Sequence, residues 1–488
     1  MDEIAVYITR GNDADKDALE SLGAAASIQS AGHYVSFRNA ECPRFGAALS
    51  GFGPGERLFV ASPNRALVSS YAWGKESVDQ RFPVLEQLSC LVTVKYSAVN
   101  QAQSPTHDEK ETVFEQTAYM TPWLLIGGSK TGRLYIWELA LGDLVCVKDA
   151  HYQEIASMSV STCGTFLVSG GLDARVHVWD VMSLVTPSLL TGCKPYATFS
   201  NHSLPVTQVE IYSLSMVSDY RVYSSSRDAT VCIYDVLKKS LLTTFVLPSP
   251  VECFARDPAG RALFAGLADG TVRQVSFYVV NSHTRVLEAV GGTGKVVTVE
   301  ADPELQNTFV HHLLTANGST ATAARDAVSM DGMQLVSGDS YGQTFVADVV
   351  TKQVVKAFTP CKSPIMYLAV RVCDKSVLSS QGFSEKKHRL LPPLKRVLVS
   401  AEPLKHTLSM QLHGAVSQEE SFSDWLERKA LEEFRLLSAD AAEVYAGTET
   451  HGSEATDLRK KLDKVSVAYT DLKTQYEELL AARDGLAP

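Results

Sequence analysis

The sequence predicts an all-β fold, a seven-bladed β-propeller, followed by a C-terminal α-helical coiled-coil extension. Three observations predict it. A strand–turn–strand unit recurs along most of the chain, its copies lie about 40 residues apart or carry insertions, and beyond residue 418 the pattern turns helical.

The unit is clearest in "GTFLVSGGLDARVHVWDV", Gly164 to Val181. Aligning related segments on its aromatic gives Trp137 in "LLIGGSKTGRLYIWEL", Trp179 here, and Tyr234 in "RVYSSSRDATVCIYDV". Val275 in "ALFAGLADGTVRQVSF" and Ala347 in "QLVSGDSYGQTFVADV" take the same place. The spacings are 42, 55, 41 and 72 residues. The shorter two match a four-stranded propeller blade of about 40–45 residues, and the longer two imply inserted loops.

The residue types follow from the turn and from burial. Asp173, Asp228 and Asp269 stand six positions before the aligned residue, in a tight turn that Asp tolerates well. Ser169 and Ser224 stand ten before it, and His151 and His202 introduce the same two blades. In propellers of the WD-repeat type, such His, Ser, Asp and Trp residues form a buried hydrogen-bonded chain. His151, Ser169, Asp173 and Trp179 make a full set. His202, Ser224 and Asp228 make a near-set in which Tyr234 offers a phenol for the indole. A hydrolase triad is the rival reading, but a nucleophile is needed at one exposed site, whereas this constellation repeats. The sequence therefore predicts a structural network and no catalytic residues.

The propeller is expected over residues 1–405, with a linker at 406–417 and a helical tail at 418–488. At the N-terminus "EIAVYIT", "HYVSF", "ERLFVAS" and "ALVSSYAW" alternate like strands, with Trp73 in the aligned place. "LSCLVTVKYS" opens the blade closed by Trp137, and a polar insertion at about 98–118 reads as a surface loop. "QVVKAFTP", "PIMYLAVRV" and "KRVLVSAE" supply a last blade from about 353 to 403, with an N-terminal strand available for closure. That makes seven blades and leaves no long unpaired edge.

In the tail, Leu458, Leu462, Val465, Tyr469, Leu472, Tyr476 and Leu479 are spaced alternately four and three apart, a heptad seam over 456–480. Ser453 is placed to cap its start and Gly485 follows its end. The seam fits partner binding or self-association, and the alternative is a stripe that folds back on the propeller.

Composition limits the function classes. The chain has 488 residues, 45% hydrophobic and 20% charged, and a net charge of −10 that argues against a generic nucleic-acid binder. Nine scattered cysteines without a C-x-x-C predict neither a zinc site nor a redox pair, and point to a reducing compartment. No leader pattern is evident, and no run reaches the about 18 apolar residues of a membrane span. "GGTGK" at 291–295 lacks the first glycine and the Ser/Thr of a phosphate loop, and His311–His312 lack ligand partners at readable spacing. No cofactor or metal is expected. Lys386, Lys387, Arg389, Lys395 and Arg396 cluster in "EKKHRLLPPLKR", either a solvated loop or a nuclear-import or RNA-phosphate patch.

"HYQEIASMSVSTCGTFLVSGGLDARVHVWDV", "YATFSNHSLPVTQVEI" and "RVYSSSRDATVCIYDV", in that order, resemble the WD repeat-containing protein 18 family. The yeast member of that family is the Ipi-three subunit of the Rix-one ribosome-assembly complex. The resemblance is strongest over about 121–280 and extends in kind to the tail. It implies a nuclear, non-catalytic scaffold in maturation of the large ribosomal subunit precursor, with a role in internal-transcribed-spacer processing. It also implies binding to α-helical-repeat subunits and indirect links to the pre-ribosomal particle and the midasin ATPase, while the basic loop residues offer a local contact for rRNA. An adaptor in a chromatin, replication-licensing or ubiquitin-ligase complex is the alternative use of the same fold.

Overall fold

The computed structural model describes residues 2–398 apart from 12–21, 31, 52–55, 74, 95–123, 186–192, 214–218, 282–284, 301, 303–304, 315–322, 362 and 374–390. The heptad residues, the 98–118 insertion, and Lys386, Lys387 and Arg389 lie outside the described residues. Among the described residues no helix is long and apolar enough to cross a membrane.

Seven antiparallel blades form the ring. The second runs Ala47–Leu49, Arg57–Ala61, Leu67–Ala72 and Gln80–Pro83, and the third Leu88–Val94, Leu124–Ser129, Arg133–Glu138 and Asp143–Asp149. The fourth runs Ile155–Val160, Phe166–Gly171, Val176–Asp180 and Ala197–Phe199, and the fifth Val206–Ser213, Tyr220–Ser226, Thr230–Asp235 and Ser240–Val246. The sixth has Val251–Arg256, Ala262–Leu267, Val272–Ser276 and the short Thr308–Phe309. The seventh has Ala323–Val328, Gln334–Asp339, Thr344–Asp348 and Val354–Ala357.

The first blade corrects the sequence reading. It joins Asp2–Thr9, Leu22–Ser27 and His33–Arg38 to Ile365–Cys373, which is its innermost strand. The count of seven stands, but residues 353–403 do not make a blade of their own. Val354–Ala357 completes the seventh blade, Ile365–Cys373 closes the first, and "KRVL" keeps only an isolated bridge between Leu398 and Leu144. Trp73 belongs to the second blade. The cause is long-range pairing of Asp2–Thr9 with Ile365–Cys373, which no local pattern records.

The two long spacings also have structural causes. After Asp180 a short helix, α1 (Val181–Val185), buries Val181, Leu184 and Val185. Residues 278–298 form a hairpin, Tyr278–Val280 with Leu287–Ala289, and a strand, Lys295–Thr298, that extends the fifth blade in parallel.

Strand alternation sends successive side chains to opposite faces, and here both faces are buried against neighbouring blades. In Asp2–Thr9, Ile4, Val6 and Ile8 enter the cluster shared with the second blade, while Ala5 and Tyr7 enter the one shared with the seventh. The described residues hold seven buried clusters, one at each seam. The aligned position always points into the seam with the preceding blade: Trp73, Trp137, Trp179, Tyr234, Val275 and Ala347 each do so. The indole is therefore a seam filler as well as a hydrogen-bond donor.

Ile4→Ala empties part of the seam between the first and second blades. It is expected to lower unfolding stability by about 2–5 kcal/mol and to speed amide exchange in Ile365–Cys373. Exchange in that strand unchanged from wild type would contradict the closure described.

Candidate functional site

The upper face of the ring carries the turns between second and third strands and the connections between blades. In the fourth blade, His151 Nδ1 lies 3.0 Å from Asp173 Oδ1 and Nε2 lies 2.8 Å from Ser169 Oγ. Trp179 Nε1 donates to Ser169 Oγ at 3.1 Å. One ordering of protons satisfies every member: Trp179 donates to Ser169, Ser169 to His151 Nε2, and His151 Nδ1–H to Asp173. Burial alone would raise the Asp173 pKa, but His151 and the backbone N–H groups of Tyr152 and Arg175 hold it below the usual carboxylate range. Gly171 is needed beside them, because a Cβ there would fall on His151 Nδ1 and Asp173 Oδ1.

The fifth blade repeats the arrangement with one difference. His202 Nε2 is 2.7 Å from Ser224 Oγ, and Nδ1 is 3.2 Å from Asp228 Oδ2 and 3.1 Å from Thr230 Oγ1. Tyr234 fills the indole's place by burial and by stacking on Phe199 at 4.1 Å, but its hydroxyl makes no hydrogen bond to Ser224. The phenol oxygen sits at the tip of the ring, whereas the indole N–H lies along its side. Ser224 therefore has its lone pairs free for His202 Nε2–H. Burial opposes the His202 charge, yet Asp228 and then Cys232 raise its pKa to about 9.

Asp269 has no histidine. Ser249 Oγ donates to its carboxylate at 3.0 Å, and the Thr271 backbone and hydroxyl donate at 2.9 and 2.6 Å. In the third blade Glu86 replaces histidine, accepting from Thr131 Oγ1 at 2.5 Å, which in turn meets Ser129 at 2.8 Å.

One network escaped the sequence reading. His311 and His312 both reach Ser337 Oγ, at 2.7 and 2.9 Å, and His312 Nδ1 lies 3.4 Å from Asp339 Oδ2. Asp339 is two residues after Ser337, the place that Gly171 takes after Ser169. The acid has moved two positions along the turn, so the expected Ser–Asp spacing is absent. Burial, then the neighbouring His312, pushes the His311 pKa down to about 3.

These networks fix the loops of the upper face. Asp173 accepts the Tyr152 N–H at 3.3 Å, and Asp228 accepts the Ser203 N–H at 3.0 Å. Tyr152 is 84% exposed, with the Arg175 guanidinium 5.4 Å from its ring centre, and Leu204 is 48% exposed. Arg44, just before the inner strand of the second blade, reaches Glu252 on the inner strand of the sixth at 2.8 Å and so crosses the axis. His177 joins His151 and Asp173 in a group whose ligand-type atoms lie within 4.8 Å of one another. Both His151 nitrogens and His177 Nδ1, which meets Thr198 Oγ1 at 2.9 Å, are engaged within the blade.

A cavity of about 790 Å³ opens along the inner strands of the first four blades. Among its described lining residues the ionisable groups are Glu56, Tyr367, Arg371 and Cys373, with neither a histidine nor a second carboxylate beside Glu56.

The basic cluster is divided. Lys395 forms an ion pair with the buried Asp143, and Arg396 Nε donates weakly to Pro83 O at 3.4 Å. Lys395 thus pairs with Asp143 while its side chain stays 56% exposed.

The WD domain, G-beta repeat model matches residues 142–180 and 193–235, the stretches that end on Trp179 and Tyr234. The chain is 42% identical to pre-rRNA-processing protein IPI3 of Candida albicans, over 98% of both chains. It is 44% identical to the protein of that name in Meyerozyma guilliermondii, over 98% of this chain and 99% of the relative. It is 27% identical to that of Yarrowia lipolytica over 98% of both.

Trp179→Ala removes both a seam filler and the donor to Ser169, and is expected to cost about 3–5 kcal/mol in urea unfolding. Gly171→Ala should destabilise although it only adds a methyl, and a variant that unfolds at the wild-type midpoint would contradict the network. The His202 pair also sets a pH dependence. Its folded pKa of about 9 lies above the unfolded value of about 6.5. The stabilisation is therefore complete below pH 6.5 and lost as pH rises to 9. Urea midpoints between pH 6.5 and 9 should fall, and Asp228→Asn should flatten that slope.

Proposed function

The chain belongs to the family of pre-rRNA-processing protein IPI3, and from that premise we propose that it serves as a non-catalytic scaffold subunit in maturation of the large ribosomal subunit. The observation that carries this reading is collinear identity of 41–44% across 98% of the chain with three relatives of that name. A match of that extent takes in the tail as well as the ring. The upper face supports the scaffold role, since its side chains are held rigidly by buried networks and expose an aromatic and an arginine, residue types enriched at binding hot spots.

The family resemblance extends the proposal. The partners would be α-helical-repeat subunits of one nuclear complex, with the pre-ribosomal particle and the midasin ATPase reached through them. The work would bear on internal-transcribed-spacer processing. The heptad residues Leu458, Leu462, Val465, Tyr469, Leu472, Tyr476 and Leu479 suit a helix–helix contact, with a partner or a second copy. Local contact with rRNA would fall to the basic residues Lys386, Lys387, Arg389, Lys395 and Arg396.

Expression of this chain in Candida albicans depleted of its own relative tests the reading. It is expected to restore processed large-subunit rRNA and growth, and unrelieved precursor accumulation at normal protein levels would sink it. Leu462→Asp with Leu472→Asp should leave the thermal transition of the ring in place while reducing recovery of assembly subunits at least tenfold.

A further inference from the structure

Residues Leu391–Leu398 lie across the second and third blades. Leu391 and Leu394 are 7% and 5% exposed and belong to the cluster that fills the seam between those blades, beside Trp137 and Leu144. Gln80 grips the Leu391 backbone with both ends of its amide. Its Nε2 donates to Leu391 O at 2.8 Å, and its Oε1 accepts the Leu391 N–H at 2.9 Å. Gln80 is itself held by Arg57, whose Nη1 donates to Oε1 at 2.9 Å and pairs with buried Asp79 at 2.7 Å.

Four residues on, the contacts repeat in kind. Lys395 N–H donates to Gly142 O at 2.7 Å, its carbonyl accepts Trp137 Nε1–H at 3.1 Å, and its ammonium meets Asp143. Trp137 differs here from Trp179, whose indole serves a serine of its own blade. Between the anchors, Pro392 and Pro393 restrict the chain to an extended form with little entropy left to lose. Gly142, at φ +70°, leaves room for that backbone, because a Cβ there would fall on Pro393 O.

Two buried apolar anchors, a double amide grip, an indole and a carboxylate make a peptide-recognition cleft, with selectivity in side-chain pockets and affinity in backbone bonds. We propose that the seam between the second and third blades is a peptide-binding site. Its ligand is an extended Leu-Pro-Pro-Leu-Lys segment, supplied by this chain itself.

The test uses the full chain with a protease site inserted between Gly382 and Phe383. After cutting, verified by mass spectrometry, the C-terminal fragment is expected to stay with the ring through gel filtration, and to be released when Leu391→Asp and Leu394→Asp are present. Separation of the unsubstituted fragment overturns the proposal, as does equal retention of the substituted one. In a second arm, a fluorescein-labelled peptide of residues 388–400 is added to the uncut double-Asp chain. Anisotropy should show binding at least tenfold tighter than to wild type, whose site is filled, and loss of that binding when Gly142→Val is added. No binding to a double variant that melts as a folded ring overturns it, and if that variant does not fold, the cut chain alone decides.

Discussion

Every blade of this ring buries both of its faces, each against a neighbour, so the fold depends on the first and seventh blades meeting. Antiparallel pairing of Asp2–Thr9 with Ile365–Cys373 supplies that meeting. It places Ile4, Val6 and Ile8 in one seam and Ala5 and Tyr7 in the other. Were the ring open, two sheet faces of mostly apolar side chains would stand in water, at roughly 25 cal/mol for each Å² of apolar surface. Closure also removes the sheet edges through which such chains would associate.

Within that frame the buried polar groups specify the loops. A His, a Ser and an Asp under a blade's turn would be expensive to bury unpaired, so they are retained in a chain of bonds whose last links reach outward. Asp173 and Asp228 each spend one bond on the backbone N–H that follows the histidine. The exposed Tyr152 and Leu204 thereby sit on loops anchored from beneath, a suitable construction for a surface that docks other proteins. With an indole the histidine accepts from serine, and without one, in the fifth blade, Asp228 can hold an imidazolium.

The segment Leu391–Leu398 uses the same resources for another purpose. Trp137 fills its seam as Trp179 does, but its N–H holds a piece of chain that belongs to no blade. Lys395 of the basic stretch pairs there with Asp143.

The sequence alone determined the all-β propeller class of the ring, the number of blades, and the fourth- and fifth-blade residues that meet beneath the turns. Those features are local. Strand alternation, turn chemistry and fixed offsets of four to ten residues write them into contiguous stretches. Tertiary structure decided which strands close the ring, that Tyr234 fills its seam without bonding Ser224, and that His311 and His312 both reach Ser337 with Asp339 beside His312. It also decided that Lys395 is bound within the fold. The closing strands and the Lys395 contacts rest on residues far apart in the chain, the third network rests on a carboxylate shifted by two positions, and the Tyr234 difference comes from where a phenol carries its oxygen.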